Sequence, residues 1–109
     1  MNTNFSQTIT VQCRKPAQLI ELIEQWDRDQ ATSEIMGYMG TRVLADRDRP
    51  GSYLIIADFG VVDPEVSAAD EAARNNERAE TKAVAAAVAE LIDGEPEYRH
   101  FDEVYRTGR

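Results

Sequence analysis

Two adjacent amides, Asn75 and Asn76, interrupt the alanine-rich stretch "ADEAARNNERAETKAVAAAV". Side-chain amides both donate and accept, so such a pair can polarise a carbonyl or stabilise an oxyanion. They can equally compete for backbone hydrogen bonds and bend the helix that carries them. Trp26 ends an apolar stripe and reads either as core or as a flat wall on which a ligand stacks. His100, the sole histidine, falls in a strand, as a general base or as a solvated strand residue. Arg42 either anchors an anion or pairs with Asp58 across a hairpin. With Tyr53 these make the candidate set: Asn75 and Asn76 for catalysis, and Trp26, Arg42, Tyr53 and His100 for ligand contact.

Other spacings look like sites but fail on chemistry. "DRDRPG" imitates the opening of a calcium loop, with Asp46, Asp48 and Gly51 at the first, third and sixth positions. Its fifth position is Pro50 and its twelfth is Ala57, where calcium needs a bidentate glutamate. His100 has no Cys or His partner at zinc spacing, so no metal site is expected. No phosphate loop and no dinucleotide fingerprint occurs, which argues against a nucleotide cofactor; none is expected. "GYMG" has the form of an RNA-clamping loop but precedes a strand instead of joining two helices. The single cysteine, Cys13, excludes an internal disulfide and reads as a small apolar strand residue in a reducing, cytoplasmic setting.

The elements that must position these residues can be read from pattern. A chain of 109 residues, 42% hydrophobic and 29% charged, is one domain, 1–109. "FSQTITVQC" alternates with Phe5, Ile9, Val11 and Cys13 on one side, a first strand. Pro16 opens a helix whose stripe is Leu19, Leu22, Ile23 and Trp26. "TRVLADR", 41–47, and "SYLIIADF" read as strands joined by the "DRPG" turn into a hairpin. Residues 63–93 read as helical, with Asp63 as cap, Pro64 in the first turn and an interruption at "RNNERAET" that points to two helices with a bend in place of one straight rod. Gly94 is a C-cap and "EYRHFDEVYR", 97–106, a fourth strand. The order βαββαβ gives an α+β, ferredoxin-like sheet with its helices on one face.

The third strand is apolar on both sides: Tyr53, Ile55, Ala57 and Phe59 on one, Leu54 and Ile56 on the other. Tyr98 with Val104, and Phe101 with Tyr105, make the fourth strand two-sided as well. Bare, the second face would form a patch larger than soluble monomers usually carry, so a second copy of the chain is expected to cover it. The formal charge of −8 repels phosphate backbones and anionic lipid, so neither nucleic acid nor membrane is an expected partner.

With this order, the "DRDRPGSYLIIADF" hairpin, "RNNERAETKAVAAAV" and the closing "YRHFDEVY", the chain resembles the antibiotic biosynthesis monooxygenase-like family. The resemblance covers about residues 5–105. It implies a dimeric α+β barrel. In the family's enzymes, electron-rich polycyclic aromatics are oxidised by O₂ without metal or flavin. An Asn, a Trp and sometimes an Arg or Tyr line a pocket between the helices and each protomer's sheet. The amide carries over to Asn75 or Asn76. The chain departs from the enzymes in having no Trp after the third strand, at "DFGVVDPEV"; Trp26 is on the first helix. Haem-degrading members use a helical His ligand, whereas His100 falls on a strand. The resemblance therefore implies a cofactor-independent monooxygenase acting on a small aromatic metabolite, or a non-catalytic binding or structural homodimer of the same fold.

Overall fold

The computed structural model describes residues 3–108. Its elements are β1 (Phe5–Cys13), α1 (Pro16–Gln30), β2 (Tyr38–Ala45), β3 (Ser52–Phe59), α2 (Ala68–Asn76), α3 (Ala79–Leu91) and β4 (Ile92–Asp102). The strands form one antiparallel sheet in the order β2-β3-β1-β4. Alternation decides which side of it is covered. Phe5, Val11 and Cys13 of β1, with Ile55 and Phe59 of β3, are buried beneath the helices.

The core is in two parts. Val11, Cys13 and Ile55 pack with Leu19 of α1 and Val88 of α3 at one end of the sheet. Phe5 and Phe59 pack with Ala68 and Ala72 of α2 at the other. Between these clusters the central strands carry Gln7 and Ala57, one polar and one small, where large apolar residues would otherwise close the gap.

The two helices expected on either side of 74–81 are present, separated at Arg78, which is extended (φ −69°, ψ 143°). Several boundaries differ from the sequence reading. Ser67, not Asp63, caps α2; its side chain accepts from the Asp70 amide at 3.0 Å. Such a cap contributes about 1 kcal/mol. Asp63 instead accepts from the Glu65 amide in a preceding turn. β2 starts at Tyr38 because a register shift between Tyr38 and Gly40 extends its pairing with β3. β4 starts at Ile92, directly after α3, and Gly94 (φ +77°) lies in a shift opposite β1 instead of capping a helix. The strand ends at Asp102 because it has reached Phe5, the first residue of β1. Val104 and Tyr105 therefore lie beyond it, 92% and 79% exposed.

At the hairpin, Asp46 accepts from the Asp48 amide at 2.9 Å, and the Ser52 amide donates to the Arg49 carbonyl at 3.0 Å. The aspartate that resembled a calcium ligand serves the turn. Cys13 is buried, its Sγ within 3.7 Å of the Leu91 carbonyl oxygen. No helix among the described residues is long and apolar enough to cross a membrane.

Candidate functional site: a cavity over one row of the sheet

The gap between the two core clusters is a cavity of about 300 Å³. Its floor follows from strand register. Thr41 pairs with Ala57, Ala57 with Gln7, and Gln7 with His100, a row that crosses all four strands and lines the cavity throughout. The adjacent row of Ile55, Ile9 and Tyr98 supplies an apolar border. Small and polar side chains in the first row leave the space that bulkier neighbours would fill.

Trp26 of α1 is held at two points on the wall. Its Nε1 donates to Thr81 Oγ1 at 3.0 Å, which joins α1 to the first turn of α3. The Tyr38 ring meets the indole in a T-shaped contact with centroids 5.3 Å apart. Tyr38 is in turn fixed by its hydroxyl, which donates to Asp27 Oδ1 at 2.6 Å and lies 2.6 Å from Thr41 Oγ1. Burial, followed by the bond to Asp27, pushes the Tyr38 phenol well above the ordinary tyrosine range. Trp26 consequently presents a fixed aromatic surface in place of a mobile one.

The helix break places the amides. Asn75 is only 1% exposed; its Oδ1 accepts from Arg78 Nη1 at 3.2 Å. The same Arg78 nitrogen donates to Gln30 Oε1 at 3.1 Å, so one guanidinium ties the end of α1 to the junction of α2 and α3. Asn76 Nδ2 donates to Gln7 Oε1 at 3.0 Å, which joins α2 to the floor. Gln30 Nε2 is buried without a hydrogen-bond partner among the described residues. Glu71, also buried, accepts from the Met36 amide at 3.1 Å and from Arg74 at 3.3 Å, fixing the loop before β2.

Trp26, Asn75, Asn76 and His100 all line the cavity, whereas Arg42 and Tyr53 do not. Arg42 follows Thr41 and so points to the opposite face, 4.0 Å from Asp58. Tyr53 has the inward parity but lies at the far end of β3, against the Val11–Leu19 cluster. Gln7, Thr41 and Thr81 are lining residues that sequence reasoning passed over. Gln7 carried a signal: it is the polar residue at an inward position of β1, between Phe5 and Ile9. Among the described residues there is no group of three or more His, Cys, Asp or Glu that could hold a metal ion.

The sheet's other face carries Leu44, Leu54, Ile56 and Phe101 among Arg42, Thr8 and Arg99. Leu44 and Phe101 are 43% and 48% exposed there.

No protein-family model matches the sequence, and no curated protein matches it. Solved structures do match. SnoaB, a cofactor-independent oxygenase from Streptomyces nogalater, superposes with a TM-score of 0.73 at 18% identity, over 98% of this chain and 99% of its own. A Nitrosomonas europaea protein provisionally named as an antibiotic biosynthesis monooxygenase gives 0.73 at 14% identity, over 99% and 97%. A Caulobacter crescentus protein provisionally given the same name gives 0.72 at 14% identity, over 95% and 92%. The chain thus has, over nearly its whole length, the fold of antibiotic biosynthesis monooxygenase-like proteins.

Proposed function

We propose that this chain is a cofactor-independent oxygenase that binds a small aromatic metabolite in the cavity between helices and sheet. The observation that carries this reading is the cavity: about 300 Å³, walled by apolar side chains and a fixed Trp26, with amides at Asn75, Asn76 and Gln7. That size lies at the lower end of the roughly 300–1,000 Å³ range of small-molecule sites, which suits a small aromatic ligand. Stacking on Trp26 orients the ring system, and an amide donor stabilises the oxyanion that forms as the ligand loses a proton. A carbanion so held reacts with O₂ directly. Conversion of a ring methylene to a ketone consumes one O₂ and releases one water, so no external reductant is required. The likeness to SnoaB in fold supports this class of reaction.

We propose further that the working form is a homodimer. The outer face, with Leu44, Leu54, Ile56 and Phe101, supports packing against the same face of a second copy about a two-fold axis. Sedimentation should give a dimer at micromolar concentration; a stable monomer would overturn this part.

Incubation with an anthrone or a dihydroxynaphthalene under O₂ tests the catalytic reading. Oxygen uptake with quinone formation is expected, and loss of turnover in Asn75→Ala or Asn76→Ala with the fold intact. A second reading, a non-catalytic binding module, is favoured by one observation. Asn75 Oδ1 and Asn76 Nδ2 are already bonded to Arg78 and Gln7. Ligand binding without oxygen uptake would select it.

A further inference from the structure

We propose that Ile23 and Thr41 set the ligand specificity of this cavity by walling it off from a groove outside β2. Its ligands are then compact ring systems whose chains or further rings all lie towards β4. The proposal rests on the cavity reading above and deepens it. The two ends of the floor differ. Lys82 and Ala85 of α3 and Tyr98 and His100 of β4 line the cavity and are all exposed, so it opens between those elements. From His100 the row Gln7–Ala57–Thr41 crosses three strand spacings, about 14 Å, to β2 at the other edge of the sheet. A ring system that enters at β4 therefore meets Thr41 last.

Beyond Thr41 the space resumes. A groove of about 670 Å³ lies between α1 and β2; its lining is apolar at Ile20, Met39 and Val43 and charged at Glu24, Asp27 and Arg28. Ile23 and Thr41 line both this groove and the cavity, so a single layer of side chains separates the two. That layer is held in place. Ile23 is half-buried and packs against the Val11–Leu19 cluster. The Tyr38 hydroxyl, bonded to Asp27 of α1, also lies 2.6 Å from Thr41 Oγ1 of β2. It ties helix to strand across the line where the two spaces meet.

The wall decides what the cavity accepts. A methylene moved from water into apolar surroundings raises affinity about fourfold, but only where there is room for it. A chain directed at β2 meets Ile23 and Thr41, and overpacking so fixed a layer offsets what its burial would gain. The same chain directed at β4 passes through the mouth into water and gains nothing. Shortening either wall residue joins cavity and groove, and the apolar lining of the groove then covers the chain. Ile9 provides the contrast. It borders the cavity from β1 without reaching the groove, so Ile9→Ala enlarges the cavity and leaves the wall closed.

The test is calorimetric titration of the full chain with 2-methoxynaphthalene and 2-butoxynaphthalene, which share a ring system and differ by three methylenes. The readout is the ratio of the two affinities, which a general weakening of binding does not move. In the wild-type chain the longer ether should bind no tighter than the shorter. In Ile23→Ala it should bind at least about tenfold tighter, and Thr41→Ala should shift the ratio the same way. Should one of these variants not fold, the other decides. Ile9→Ala, with the same atoms removed elsewhere on the lining, should keep the wild-type ratio. A longer ether that already binds tighter to the wild-type chain would overturn the role of the wall while leaving the cavity reading intact. So would a ratio that moves no more in the wall variants than in Ile9→Ala. If neither ether binds the wild-type chain, the cavity reading itself fails and this inference falls with it.

Discussion

Replacing Ala57 by valine asks whether the space over the central row is open. Ala57 sits mid-row, between Thr41 and Gln7, on the cavity floor. Two added carbons removed from water contribute about 0.8 kcal/mol each, roughly 1.6 kcal/mol. Ordering the new side chain costs about 0.5 kcal/mol, which leaves a net gain of about 1 kcal/mol. For a chain of this size that raises Tm by about 4 °C. Were the floor already closed by its neighbours, the same carbons would overpack it and cost about 1–3 kcal/mol. The two cases differ in sign. Valine is also the better strand former, so Ala45→Val, at an exposed position of β2, measures that contribution alone. Differential scanning calorimetry at one fixed protein concentration keeps any self-association constant. A Tm increase beyond that of Ala45→Val, with weaker binding of three-ring ligands, is expected. A lower Tm for Ala57→Val would refute the argument that this row leaves a cavity.

Three further outcomes follow from specific contacts. Gly37→Ala should cost at least about 3 kcal/mol in urea denaturation, because its φ is +80° and a Cβ there would lie 2.1 Å from the Gly60 carbonyl oxygen. Relief of that clash would also break the 2.7 Å bond from the Gly60 amide to the Gly37 carbonyl. Thr81→Val leaves Trp26 Nε1 without its acceptor; a loss of about 1–2 kcal/mol and a changed tryptophan emission spectrum are expected. Tyr38 holds its proton above the ordinary tyrosine value of 10.0, chiefly through burial. Past that pH the unfolded chain has released a proton that the folded chain keeps, so stability should fall as pH climbs above it. A late tyrosinate component in an alkaline absorbance titration, absent from Tyr38→Phe, checks this.

Much of the fold was legible because its signals are local. Period-two alternation located β1 and β3, Pro16 and the Leu19–Trp26 stripe located α1, and "DRPG" located the hairpin. The interruption at "RNNERAET" marked the helix break. Boundaries failed where pairing decided them. β4 could not be ended at Asp102 without knowing that β1 begins opposite it at Phe5. Nor could Gly94 be moved from a helix cap into a strand without the register shift against β1. Ser67 and Asp63 are both good caps in sequence; the structure uses one for α2 and the other for a turn.

The site was less legible for the same reason. A cavity floor is a row across strands, and neighbours in that row are distant in sequence: positions 7, 41, 57 and 100. Thr41 meets Ala57 through the register that the hairpin sets, unbroken from Ala45 opposite Tyr53, whereas His100 meets Gln7 only because of the shift opposite Thr10 and Gln12 in β4. Moving β2 by one residue would exchange Thr41 for Arg42 on the floor. Of the two readings open for Arg42 in sequence, an anion anchor or a partner of Asp58 across the hairpin, its place on the other face leaves the second. Gln7 needs no register to be noticed. A buried glutamine on the inward side of a central strand must find partners, and Asn76 supplies one. The bond between them means that the end of α2 and the floor are set together, so a substitution at Gln7 should shift Asn76 as well as the floor. The amide pair that first drew attention is therefore one end of a structure whose other end is an inconspicuous residue of the first strand.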